Sequence, residues 1–301
     1  MDLAANLSSK WILVSQPHPN VLHVELARKP VNAFCVELWT EYGALLDRIT
    51  HEGRDVRALV LSSALPKFFT AGIDLADLSG GFGGGTDAAR TSLSTYHRLK
   101  EFQHAIGAPE RCPFPVIVAV HGLVVGLGVD MISACDIRYA AEKTQFTIKE
   151  VDVGLAADIG TLAYLPKITS NHSLMRELAY TSRMFSASDA ERLGLVSKVV
   201  PGTREEVKAA LELAHTIAQK SPIAVSGTKR ILTHARDHSV KENLEYTAAW
   251  NAAALQTNVS IALHSNSVSF ANELIKDIPE SLRAAKARTA PVFAPLRAAK
   301  M

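Results

Sequence analysis

The chain is poor in cysteine, in clustered charge and in long apolar runs, and each shortage removes a class of function. Its three cysteines, Cys35, Cys112 and Cys135, are far apart and form no CxxC pair. Neither a metal site nor a disulfide framework is indicated, and a reducing compartment is the easier reading. The formal net charge is +2 with no basic block, so composition makes no case for nucleic acid. The longest apolar run, around Val116 to Val129, is broken by His121 and three glycines and is too short to span a bilayer. The first residues carry Asp2 and lack an apolar signal core, so secretion is not expected. No GxxxxGK[ST] phosphate loop occurs, and GLGVD lacks the third glycine of a dinucleotide fingerprint.

What is present is an ordinary globular composition, 48% hydrophobic and 21% charged over 301 residues, enough to bury a sizeable core. WILVSQPHPNVLHVELAR reads as two short strands around a turn, and VRALVLSSA and PFPVIVAVHG as buried strands. Between them, Phe34, Leu38, Leu45, Leu46 and Ile49 recur at helical spacing, with Asn32 as the expected cap. Another helix is expected from Leu93 to Ile106. Strands alternating with helices predict an α/β fold with much parallel pairing. Beyond about residue 205 the pattern is almost wholly helical, so residues 1–204 are expected to form the core and 205–301 a helical region.

Two stretches follow buried strands with small residues: Thr70-Ala71-Gly72-Ile73-Asp74 and His121-Gly122-Leu123-Val124-Val125-Gly126-Leu127-Gly128-Val129-Asp130. Backbone N–H groups at such strand-to-helix turns suit a developing anion. A third stretch, EVDVGLAADIG, sets Glu150, Asp152 and Asp158 among apolar residues, where carboxylates are rare unless paired. Taken singly, Asp130 fits a helix first-turn acid, Glu150 a solvated strand end and Asp158 a helix N-cap. Asp152 matches a local ion pair, His23 and His121 local hydrogen bonding, and Trp39 and Trp250 apolar helix faces. Lys29 and Lys67 precede the two ligand-facing turns.

PVNAF, FFTAGIDL, HGLVVGLGVDMISACDIRYA and RLGLVSKVV resemble the crotonase (enoyl-CoA hydratase/isomerase) superfamily over nearly the whole chain. ACDIRY, KEVDVGLAADIGTLAYLPK, SPIAVSGTK and RDHSV are similar to its Δ3,5-Δ2,4-dienoyl-CoA isomerase branch. The resemblance implies a crotonase-type spiral of ββα units with a C-terminal helical trimerisation region, assembled as a homotrimer or homohexamer. It implies an acyl-CoA thioester substrate, with the CoA part of the substrate and no separate cofactor. The oxyanion-hole donors would be the N–H groups of Ile73 and Leu127, although glycine is commoner at the second position. Ala71, Gly72, Ile73, Asp74 and Leu75, with Leu127, would line the substrate. Asp130, Glu150 and Asp158 would be the catalytic acids: Asp158 the base at C2, Glu150 the acid at C6, Asp130 an electrostatic partner.

Two rival readings remain. An enoyl-CoA hydratase typically carries glutamates at the positions of Asp130 and Glu150 and no acid at that of Asp158. A crotonase-fold RNA-binding protein would need a basic surface cluster, which is absent from the sequence. Ala299-Lys300-Met301 keeps the small, basic, aliphatic order of a peroxisomal import signal, with the mitochondrial matrix as the alternative location.

Overall fold

The computed structural model describes residues 3–53, 55–77, 87–202, 204–254, 277–293 and 295. The strands Val21–Leu26 (β2), Ala58–Ser63 (β3) and Val116–Val120 (β5) are buried along almost their whole length. Such runs belong to strands covered on both faces. With Ile12–His18 (β1), Ile137–Ala141 (β7) and Lys198–Val200 (β10) they form a sheet in the order β1-β2-β3-β5-β7-β10. The β1–β2 pair is antiparallel and every other pair is parallel. A smaller sheet holds Phe68–Thr70 (β4), Leu123–Val125 (β6), Gln145–Thr147 (β8) and Phe185–Ser186 (β9), in that order. Here β4, β6 and β8 run parallel and β9 antiparallel.

The chain steps repeatedly from the large sheet to the small one: β3 to β4, β5 to β6, β7 to β8. A helical segment follows each of the last two steps, at Leu127–Ser133 and Glu150–Val153. This is the spiral of ββα units that the sequence led us to expect, with helices after it. Period-two alternation divides the large sheet between two cores. Leu59, Leu61, Val116, Val118 and Val120 face the main core, whereas Ala58, Val60, Ile117 and Ala119 face Val207, Ala210, Ala214 and Ala218. The Glu205–Ala218 helix therefore covers the outer face of the large sheet. His121 joins them, its Nε2 donating to Leu65 O at 2.6 Å and its Nδ1 lying 3.3 Å from the fully buried Glu206.

The Val36–Glu52 helix starts without Asn32 as its cap. Asn32 is buried instead, donating to Leu26 O, Ser63 Oγ and Phe69 O, so its amide bridges three strand ends. The helix start is capped from a distance, Asp77 accepting the Val36 N–H at 2.7 Å. The next helix begins at Ala88, earlier than expected, because Asp87 accepts the N–H groups of Ala89 and Arg90. The Pro222–Ala235 helix is pinned to the core by Lys229, whose buried ammonium donates to Pro109 O, Phe114 O and Asp136. Trp250 of the Val240–Ala254 helix lies directly over Gly227, where a Cβ would meet the indole Nε1 at 2.3 Å.

Candidate active site

The strands β4, β6 and β8 are parallel, so their C-terminal ends share one edge of the small sheet, where ligands of α/β folds usually bind. Each end leads into a stretch singled out in the sequence. After β4, Gly72 adopts φ +91°, a conformation that side chains disfavour. Phe34 N–H donates to Gly72 O, and Asp74 N–H to Phe34 O, forming a parallel bridge between Phe34 and Ile73. That bridge leaves the N–H of Ile73 facing the other way, with no protein acceptor among the described residues. After β6, Gly126 at φ +49° turns the chain so that Leu127 opens the next helix, its N–H one of the free first-turn donors.

The two turns touch. A Cβ on Gly72 would lie 2.9 Å from Val125 O and 3.7 Å from Leu127 N, so only glycine fits between them. The Leu127 side chain is buried in the main core and its backbone is right-handed, so the position has no need of glycine. Of the other expected lining residues, Ala71 gives its N–H to Val31 O and Asp74 its carboxylate to Arg28 at 2.9 Å. Leu75 stands exposed beyond them. Lys29 and Lys67 are also exposed next to these turns.

The third turn brings in acid. Glu150 begins a 3-10 turn just after β8, and its Oε1 lies 3.1 Å from the place a Gly126 Cβ would take. Its Oε2 is buried and has no hydrogen-bond partner among the described residues. Burial, then the charge of Asp130, raises the Glu150 carboxyl to about 7. Asp130 lies in the first turn of the 127–133 helix, only 1% exposed. Burial lifts it to about 6, although the Thr161 N–H, 2.5 Å from Oδ1, opposes the rise. Asp158 is exposed as a residue, yet partial burial of its carboxyl raises it too. It stands in the wall of an 860 Å³ cleft with Trp39, Ala105, Gln103, Gly160 and Tyr164. Mutual repulsion also contributes, since Asp158 raises both Asp130 and Glu150.

Buried Asp130 and half-buried Glu150 beside two turns with free N–H groups, with Asp158 close enough to raise both, have the composition that proton-transfer sites use. The enoyl-CoA hydratase/isomerase family pattern matches residues 17–261. The chain belongs to that family. Human mitochondrial Delta(3,5)-Delta(2,4)-dienoyl-CoA isomerase is 46% identical over 257 residues, 84% of this chain and 78% of the human one. The peroxisomal enzyme of the same name from Arabidopsis thaliana is 42% identical over 240 residues, 78% of this chain and 85% of its own. Among solved structures, an enoyl-CoA hydratase from Bacillus anthracis superposes with a TM-score of 0.79 at 27% identity, covering 94% of this chain and 99% of that one. This relative of the hydratases and isomerases therefore has the crotonase fold, with family members in both organelles.

Some readings of single residues change. Asp158 is not the cap of the Thr161–Ile168 helix: Gly160 holds the cap position and Asp130 supplies the oxygen from another helix. Glu150 is not a freely solvated strand end, because one of its oxygens is buried. Asp152 pairs with Lys149, and Trp39 packs on Phe102 at 4.9 Å between ring centres. Gln103, whose Nε2 donates to Asp158 O at 2.7 Å, was invisible to local sequence rules, since the two are 55 positions apart. Cys35, Glu37 and Asp77 bring ligand atoms within 4.8 Å of one another. Asp77 is committed there to the Val36 N–H, as a cap of the 36–52 helix.

Proposed function

We propose that the protein is a Δ3,5-Δ2,4-dienoyl-CoA isomerase of fatty acid β-oxidation, moving a proton from C2 to C6 of an acyl-CoA thioester. The observation that carries this reading is the pair of raised carboxyls of Glu150 and Asp130 at the touching turns of Ile73 and Leu127, with a third raised carboxyl, Asp158, within electrostatic reach of both. The thioester oxygen accepts the N–H groups of Ile73 and Leu127, which makes the C2 proton acidic and holds the negative charge of the dienolate. Asp158 takes the C2 proton as general base. Glu150 delivers a proton to C6, at the far end of the conjugated anion. Its carboxyl is suited to that role because burial and the neighbouring Asp130 keep it protonated near neutrality. The cycle closes when the proton on Asp158 returns, through solvent, to Glu150. The substrate brings its own CoA, and no step calls for a further cofactor or metal. A hydratase would need a water held by two acids; the acid at position 158 has no place in that scheme.

Purified protein mixed with a 3,5-dienoyl-CoA is expected to generate the conjugated 2,4-dienoyl chromophore. Asp158→Asn and Glu150→Gln should each cut turnover by about 10²–10⁴-fold, the usual worth of a general acid or base. Hydration of a 2-enoyl-CoA without dienoyl isomerisation would refute the assignment.

We propose also that Ala299, Lys300 and Met301, which lie outside the described residues, direct import into peroxisomes. A fluorescent protein fused to the N-terminus should collect in peroxisomes and lose that location when the three residues are removed. A diffuse or mitochondrial signal from the intact fusion ends this proposal.

A further inference from the structure

We infer that Tyr164 is a positioning residue for Asp158, held in place by an ion pair that the C-terminal helical region makes with the core. The inference rests on Asp158 as the C2 base. The segment that carries Asp158 runs from the 3-10 turn to the 161–168 helix, and its supports are few. Leu155 N–H donates to Glu150 O, and Gln103 donates to the carbonyl of Asp158 itself. Beyond Asp158 the backbone at Gly160 is gripped between two side chains. A Cβ there would lie 3.1 Å from the ring of Tyr164 and 3.6 Å from Cβ of Asp130. Gly160, at φ −175°, lies outside the left-handed region, so a side chain there is opposed by the tight approach of the Tyr164 ring and not by backbone strain. Tyr164 N–H also donates to Gly160 O at 2.9 Å.

The far end of the tyrosine is fixed from elsewhere. Burial, then the Glu110 carboxylate near its hydroxyl, raises the phenol, and Arg236 donates to that same carboxylate. The Arg236 guanidinium stands 5.5 Å over the Tyr164 ring. Arg236 closes the Pro222–Ala235 helix, and its carbonyl accepts Lys167 Nζ at 3.1 Å. Lys167 also pairs with Asp237 at 3.2 Å, so the end of that helix is tied twice to the helix that follows Asp158. The ties form one continuous line: Arg236 and Glu110, the Tyr164 ring, Gly160, then the base two residues earlier. A base must meet the C–H bond within a few tenths of an ångström, and a misplacement of about 1 Å can cost 10²-fold in rate.

The test reads C2 proton loss alone, as exchange of the substrate's C2 hydrogen with deuterated water. Tyr164→Leu should slow that exchange about ten-fold or more while KM changes less than about two-fold, because the thioester turns are untouched. Tyr164→Phe keeps the ring against Gly160 and should recover most of the rate. Arg236→Gln, at a partly exposed position, should fall between the two and supplies the same reading if Tyr164→Leu does not fold. Folded Tyr164→Leu and Arg236→Gln that both exchange at the wild-type rate, beside an inactive Asp158→Asn, overturn the positioning role alone. Wild-type exchange in Asp158→Asn removes the base assignment and this inference with it.

Discussion

Asp130 serves two neighbours with one carboxyl. Its oxygen caps the 161–168 helix through Thr161 N–H, and its charge raises Glu150. Asparagine at 130 keeps an accepting oxygen and drops the charge, so it separates the two tasks. With the negative charge gone, Glu150 should lose its proton at lower pH, and the alkaline limb of the kcat/KM profile should move down from about 7. The limb belongs to the acid cluster as a whole, since its members titrate together. Stability follows the same sign. A carboxyl raised from 4.5 to about 7 by folding contributes stability that is complete below pH 4.5 and is lost as pH rises through 7. Glu150→Gln should therefore raise Tm at pH 8 relative to wild type and leave it unchanged near pH 4. Equal melting shifts at both pH values would contradict a raised Glu150.

At the scale of elements, the 36–52 and 88–106 helices cross so closely at Gly43 that a Cβ there would sit 2.7 Å from Cβ of Ala105. Gly43→Ala must push the second helix away, and overpacking of this kind costs about 1–3 kcal/mol. Gln103 lies two residues before Ala105, so the displacement should also slow turnover. Denaturant unfolding checks the first expectation; an unchanged midpoint would mean that the crossing yields. The long buried strands were legible in the sequence because ALVL, at 58–61, and PVIVAV, at 115–120, are apolar without break. So was the 205–218 helix, from Val207, Leu211 and Ala214. The small sheet was not legible as a sheet, since β4 and β6 have three residues each and show no period. Asn32 looked like a cap by local rules, but long-range bonds to Ser63 and Phe69 claimed it. The site acids were visible through motif resemblance; Gln103 and Tyr164 were not, because their roles arise only when distant helices meet.

On the whole-molecule scale, the Val240–Ala254 helix has no buried residue, and Leu232, Val240 and Leu244 stand exposed nearby. Large apolar side chains left exposed on two packed helices are what an interaction face would use. Light scattering at micromolar concentration should report a mass of three or six chains, and Leu244→Asp should lower it. A monomer from the unaltered protein would contradict the trimer or hexamer that the resemblance implies. Leu255, the next apolar residue after Ala254, lies outside the described residues.

The way the proposed site is divided between main chain and side chains has a consequence for how such a protein diversifies. Two of its five groups are main-chain amides, at Ile73 and Leu127, and no substitution but proline deletes an amide. In the proposed mechanism, thioester activation is thus inherited with the backbone and is almost invisible to point mutation. Only the acids are written in side chains. Single-codon change in this scaffold can therefore redirect where protons travel while the capacity to stabilise an enolate persists, so descendants should differ in reaction far more readily than in the class of substrate they accept.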